Sequence, residues 1–527
     1  MADYVIVGGG TAGCALAARL SEREGAQVAL LEAGPPDDLT EIAVPALLGL
    51  LFKTHVDWDF HTDPEPGLDG RRGYLPRGRM LGGSSSINGM VYIRGNRADF
   101  DEWAAVAGPA WDYEHVLPYF KRSEDNERGE DEFHAVGGPL GVSDGRSGLP
   151  MPDIWVDAAQ QAGYEHNPDF NGASQEGVGR YQVTQRDGMR SSTAAAFLTP
   201  ARGRPNLSVI THAHATRILI EGGRAVGVEL LRHGELETVR AEREVILCAG
   251  AYGSPQLLML SGVGPAADLS ALGIAVLEDL PVGENLLDHP VVLMSYLTAV
   301  PGLFSSFTEE NRELYERERR GPFASNLAEV GGFVATRPGL PGPDIQFHAG
   351  VSTYHDNGLG APFADGYSFG PNLAKPTSVG RLSLRSAMPT AKPRILHNFL
   401  ATEADRAAMI EGMRISLRIA AQPAAREAVS AVHRAPASDS EDDIMDFVRR
   451  NAQTNYHAVG TCAMGSVVDA ELRVLGVEGL RVADASVMPT ITRGNTNAAT
   501  LMIAEKAADL VLGRPAPAPE RVTTPVG

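Results

Sequence analysis

Tyr4-Val-Ile-Val-Gly8-Gly-Gly-Thr-Ala-Gly13-Cys-Ala-Leu16-Ala-Ala-Arg-Leu20 is the stretch on which the fold turns. Residues 4–7 form a short β-rich run, and an apolar pattern at helical spacing, through Leu16 and Leu20, follows the glycines. The order is strand, GxGxxG turn, helix. Gly8 permits the tight turn, Gly10 lets backbone approach a pyrophosphate, and Gly13 lets the helix pack on the strand. Thr11 and Ala12 then stand at the positive end of that helix, where phosphates bind. A second strand, 27–31, runs into Glu32. That position is close to the spacing at which a carboxylate accepts hydrogen bonds from an adenosine ribose. The pattern predicts a dinucleotide cradle and does not separate FAD from NAD.

Working outward, 527 residues allow about two to four domains with a large buried core. The hydrophobic share of 43%, with 58 Gly and 35 Pro, is that of a compact chain rich in tight turns. Acidic residues outnumber basic ones, 66 to 46, for a net charge of -20. Such a surface repels phosphate backbones and anionic lipid, which excludes nucleic acid as the expected partner. Cys14, Cys248 and Cys462 show no CxxC or Cys/His ligand spacing, so neither a disulfide framework nor a metal site is expected. No apolar run reaches the length of about 18 residues that spans a bilayer. Asp3 occupies the place where a leader peptide carries its basic residues, so 4–20 is read as fold and the location as cytoplasmic. Residues 514–527, with Pro-Ala-Pro-Ala-Pro and no periodicity, are expected to be a disordered end.

Three distant segments are dense in residues that bring backbone close to a ligand. The first, 77–92, reads RGRMLGGSSSINGMVY, where paired glycines and a serine run offer amides and hydroxyls. The second, 250–264, reads GAYGSPQLLMLSGVG after a buried-looking strand, 244–248. The third, 480–489, reads LRVADASVMP; after it come Asn495-Thr496-Asn497 and an amphipathic helix, 498–512, with Leu501, Met502, Leu510 and Val511 on one face.

With VGENLLDHP at 282–290 and NYHAVGTCAMG at 455–465, these ordered motifs resemble the glucose-methanol-choline (GMC) oxidoreductase family over nearly the whole chain. The resemblance implies an α/β fold: a Rossmann-like FAD-binding domain (1–154, 196–290 and 451–513) and an α+β substrate-binding domain containing an antiparallel sheet (155–195 and 291–450). It implies FAD on Gly8, Gly10, Thr11, Ala12, Gly13, Glu32, Gly82, Ser85, Asn88, Gly89, Met90, Val91, Ala215, Ala249, Asp484, Ala485, Asn495 and Thr496. It also implies oxidation of an alcohol by hydride transfer to flavin N5. His457 is then the base that takes the hydroxyl proton, a role suited to a neutral imidazole, and Asn497 the donor that orients the same oxygen. The N-terminus of the helix after Asn497 would favour the anionic reduced ring.

Some relatives attach FAD covalently through a histidine in the serine-rich loop; Ile87 stands at that position here, so the cofactor is expected to be non-covalent. His289 is read as structural. Arg493 is read as pairing with an acid, with an anionic substrate group as the alternative, and 308–320 as a solvated charged helix. The strands 344–348 and 380–384 are read as building the second domain. Primary and aryl alcohols, polyols and choline remain open as substrates, oxygen and a quinone as acceptors, and monomer and homo-oligomer as assemblies. Binding choline would require an aromatic cage and a carboxylate around the quaternary ammonium. The rival readings are a hydroxynitrile-lyase-type reaction on the same scaffold and a non-catalytic flavin-binding protein.

Overall fold

The computed structural model describes residues 1–523. The opening stretch forms strand β1 (Ala2–Val7), helix α1 (Thr11–Leu20) and strand β2 (Val28–Leu31). All ten residues of the two strands but one are fully buried, as expected of strands covered on both faces. β1 lies at the centre of a seven-stranded sheet, parallel to β2 on one side and to the strand Glu235–Leu247 on the other. That strand is long enough to serve twice. Its first half closes an antiparallel meander with Arg224–Arg232, which pairs in turn with His214–Glu221, and its second half runs parallel to β1 and to Leu480–Val482. Strands from both ends of the chain thus meet at Val245, which pairs with Val5 and with Leu480.

A second sheet has eight strands, antiparallel throughout. Its path runs through Val429–Arg434, Met294–Thr298, Gly366–Leu373, Ile345–Gly350, Val330–Val334 and Gly177–Arg180, with Pro290–Val291 and Gln453–Thr454 attached. Side chains alternate across a strand, and Ile345–Gly350 uses both faces. Ile345, Phe347 and Ala349 pack into a core with Trp155 and Phe369, whereas His348 and Gly350 line a cavity between the two sheets. The helices Met151–Gln161, Glu403–Ala420 and Glu441–Asn451 cover the core face.

Three expectations change. The strand expected at 380–384 does not join the large antiparallel sheet. It pairs with Arg394–Leu396 in a separate ribbon, and Leu382, Leu384 and Ile395 belong to the core under β1. The C-terminal helix (Asn497–Leu512) is not amphipathic in its surroundings: every residue from Ala498 to Asp509 is buried. It threads between α1 and the helix Tyr113–Ser123, so its charged residues find partners inside. Glu505 accepts from Arg19, Arg122 and Ser123, and the Lys506 ammonium donates to the Ala110 carbonyl beside the rings of Trp111 and Tyr119. The end of the chain is held as far as Thr523. Glu520 donates its amide to the Glu114 carbonyl and pairs with Lys121, and Thr523 donates to Glu132. The rest of the expected disordered end, 524–527, lies outside the described residues.

Glu505 is fully buried between two guanidinium groups, and its removal leaves Arg19 with Glu22 alone and Arg122 with Asp509 alone. Glu505→Ala is expected to cost about 3 kcal/mol of stability, read as a fall in the denaturant midpoint at unchanged slope. A midpoint within error of the parent would show that Arg19 and Arg122 find water in its absence.

Candidate active site

The glycine turn is built on close approach. Gly8 has φ +103°, and a Cβ there would lie 2.5 Å from the Cys248 carbonyl oxygen. A Cβ on Gly13 would lie 1.8 Å from the Gly8 carbonyl oxygen, which is why helix and strand can cross there. Above Gly10 the nearest atoms stand 3.9 Å or more from such a Cβ, leaving open space over the uncapped first turn of α1. Glu32 closes the cradle by accepting from the backbone amides of Gly9 and Gly34, both at 2.8 Å. Lone pairs on its two oxygens remain for a ligand.

A single elongated cavity runs from this cradle to His457. Gly8, Gly10, Thr11, Ala12, Glu32, Asn88, Gly89, Met90, Val91, Ala215, Ala249, Asp484, Ala485, Asn495, Thr496, Asn497 and His457 all line it. Gly13, Gly82 and Ser85 do not. They stand behind the wall, where Gly82 donates its amide to the Gly9 carbonyl and the Ser85 hydroxyl bonds Gly82 and Thr193. Two uncapped helix N-termini, at Thr11 and at Asn497, open onto the cavity and are tied together by the Thr11 hydroxyl donating to Asn497 Oδ1 at 2.8 Å. These are the groups that a dinucleotide's ribose and diphosphate require, and Ile87 lines the same wall with no imidazole beside it.

At the far end, the amide that bonds His457 is that of Asn495, whereas Asn497, expected to orient the substrate oxygen, lines the cavity with its Oδ1 accepting from the Thr11 hydroxyl. Two hydrogen-bond chains converge on His457 and assign the same tautomer. From one side, Asn372 Nδ2 donates to Gln346 Oε1, Gln346 Nε2 to Asn495 Oδ1 at 3.0 Å, and Asn495 Nδ2 to His457 Nε2 at 3.1 Å. From the other, His289 Nε2 donates to the Ala374 carbonyl at 3.1 Å. That leaves His289 Nδ1 to accept from His457 Nδ1 at 2.9 Å. His457 therefore carries its proton on Nδ1, and its Nε2 lone pair accepts from Asn495. Asp288 fixes the backbone of both histidines, accepting from the His289 and His457 amides at 2.8 Å. His289, read from the sequence as structural, is thus in direct contact with His457.

Burial lowers the imidazoles of His289 and His348 to about 4 and holds that of His457 well below its ordinary value, with His289 as the next contributor. Burial pushes the Cys462 thiol up, away from nucleophile chemistry. Arg493 is absent from the cavity wall; its guanidinium pairs with buried Asp99 and donates to the Pro343 carbonyl. The segment 308–320 forms the solvated helix Glu309–Glu318, capped by Thr308 and anchored by buried Tyr315. Sequence reasoning missed Leu48, Phe52, Leu327, His348, Tyr354 and Tyr456, which also line the cavity. Met90, Leu327 and Tyr456 share a left-handed backbone without being glycine, a strain that collects at functional sites.

Two stretches of the chain, residues 2–291 and 376–504, match the GMC oxidoreductase family. An alcohol dehydrogenase (acceptor) of Pseudomonas putida is 43% identical over 97% of this chain and 96% of its own length. The mitochondrial choline dehydrogenase of Mus musculus is 43% identical over 97% of this chain and 90% of its own. The crystal structure of pyridoxine 4-oxidase from Mesorbium loti superposes with a TM-score of 0.89 at 31% identity, covering 98% of this chain and all of that one. The chain belongs to the GMC oxidoreductase family. It is an oxidoreductase acting on CH–OH donors.

The histidine cluster ties stability to pH. His289, His348 and His397 are lowered to about 4 by burial, whereas in the unfolded chain they titrate near 6.5. Between those values the unfolded chain binds protons that these three imidazoles exclude, so their contribution to stability rises with pH, and the three outnumber Glu32 and Glu65, which burial raises to about 7 and whose slope is opposite. The unfolding temperature is expected to climb from pH ~4.5 to ~6.5 and then level. A profile that falls across this window would mean that these imidazoles are charged in the folded protein.

Proposed function

We propose that the protein binds FAD without a covalent link and oxidises an alcohol to the carbonyl, with His457 as the base. The observation that carries this reading is the unprotonated Nε2 of His457, fixed as an acceptor on the cavity wall by two hydrogen-bond chains, where a substrate hydroxyl would take over as donor from Asn495. An imidazole that is neutral at pH 7 and already faces an amide donor is suited to accept a hydroxyl proton. Asn495, fixed by Gln346, replaces Asn497 as the group that orients the substrate oxygen. When His457 takes the proton at Nε2, the resulting imidazolium is stabilised through Nδ1 by His289, whose own proton is committed to Ala374. Gly8, Gly10, Thr11, Ala12 and Glu32 would hold the adenosine and diphosphate, and Asn88 to Val91 with Asp484 to Thr496 the remainder. When bound, FAD supplies the acceptor for the hydride that leaves the carbinol carbon. The sheet that carries Glu32 then serves the cofactor, and the antiparallel sheet that carries Gln346 and His348 serves the substrate. Oxygen or a quinone takes the electrons onward.

Rapid anaerobic mixing with alcohols, followed in the visible flavin band, tests the reading, and readmitting air separates an oxygen-using from a quinone-using enzyme. His457→Ala is expected to slow flavin reduction at least about a hundredfold; a near-normal rate removes His457 from the base role. Asn495→Ala is expected to cost about tenfold or more, and Asn497→Ala less than that. An equal or larger loss in Asn497→Ala would return the orienting role to that residue. Acid precipitation should leave the yellow colour in the supernatant, and a yellow pellet would establish a covalent link.

A further inference from the structure

Among the described residues, the charge lining the cavity is sparse and already committed. Its two carboxylates are Glu32 and Asp484. Glu32 accepts from the amides of Gly9 and Gly34, and Asp484 from the Gly250 amide, the Ser254 hydroxyl and both the amide and hydroxyl of Ser486. Asp288, behind the histidines, does not reach the wall; its oxygens are taken by the His289 and His457 amides and the Thr454 hydroxyl. The one guanidinium on the wall, Arg77, donates to the Tyr456 carbonyl at 2.8 Å, one residue from the base. The charged side chain on the wall beside His457 is therefore a cation, with the Asp288 carboxylate behind it and committed to backbone amides and Thr454.

The wall around that end is apolar. Leu293 lies on the connection that follows His289, between Pro290–Val291 and Met294–Thr298. Leu48 and Phe52 pack with Leu327, whose carbonyl accepts from the amide of Val351. Tyr354 shares a hydroxyl–hydroxyl bond of 2.6 Å with Tyr456. The other polar side chains on the wall from these segments, Asn326, His348, Ser352, Ser368, Gln453 and Asn455, are uncharged, and Asn455 is already bonded to His348.

A permanent cation entering such a site loses its water and gains no counter-charge. We propose that the substrate of this site is an uncharged alcohol with a hydrocarbon body, and that a quaternary-ammonium alcohol is rejected. The proposal rests on the alcohol-oxidising reading above and narrows it. Sequence identity with choline dehydrogenases does not extend to the substrate, because the discriminating chemistry is a carboxylate that this wall does not offer.

Choline and 3,3-dimethylbutan-1-ol form the matched pair for the test. They share their shape, with a quaternary carbon replacing the charged nitrogen. Flavin-loaded protein is mixed with each under anaerobic conditions, beside a panel of straight-chain and aryl alcohols. The neutral member is expected to reduce the flavin with a kcat/KM at least about a hundredfold above that of choline. Choline equal to or better than its carbon analogue overturns the inference and leaves alcohol oxidation standing. Bleaching by no alcohol at all overturns both. Leu293→Glu supplies the absent carboxylate at a half-buried position; its ratio is expected to move toward choline by about tenfold or more. An unchanged ratio in folded, flavin-loaded Leu293→Glu overturns charge as the basis of rejection, and the parent's ratio decides the matter if that variant does not fold.

Discussion

Backbone approach at glycine is the constraint on which the rest depends. Gly8 rides over the Cys248 carbonyl, Gly13 meets Gly8, and a Cβ on Gly83 would lie 2.6 Å from Gly10 Cα. The contacts join residues 8–13, 82–83 and 248–249, three segments that come together only in the folded chain. Gly8 and Gly83 also hold positive φ, which side-chain-bearing residues rarely adopt. A methyl group at any of these crossings would push apart the strands, the loop and the helix that frame the cavity. The open space above Gly10 exists because its neighbours close so tightly around it.

At the opposite end of the cavity the controlling feature is directional. Amide and imidazole groups form two one-way chains, one arriving at His457 Nε2 and the other leaving from its Nδ1, and each dictates which nitrogen bears the proton. The antiparallel sheet makes this possible because Gln346 and His348, two residues apart on one strand, present the same face to the site. Phe347, between them, faces the other way and locks the strand into its core.

Much of the first half of this arrangement was legible in the sequence, and for a physical reason. A strand, a glycine turn and a helix are local, so their residues carry the whole instruction; Glu32 follows from the spacing of the next strand. His457 could be named because its motif resembles a family pattern. Asn495 and Asn497 could not be told apart that way, since both sit at one helix terminus and differ in their three-dimensional neighbours. Thr11, nearly five hundred residues away, captures one amide and leaves the other to the histidine. The wall residues Leu48, Leu327 and Tyr354 come from irregular segments without periodicity, and nothing local marks them. The C-terminal helix misled for the opposite reason: its charged side chains imitate a solvent face but are satisfied by Arg19, Arg122 and the Ala110 carbonyl.

The central sheet pairs the first strand of the chain with its neighbour of 245–247, and that neighbour with Leu480–Val482. During synthesis the ribosome must therefore release almost the entire polypeptide before the last parallel strand can dock and the second helix terminus can close the cavity. Until then the N-terminal cradle is an unfinished surface with an unpaired edge. A chain ending before residue 480 would contain every glycine of the cradle yet lack the strand and the helix terminus that complete the cavity.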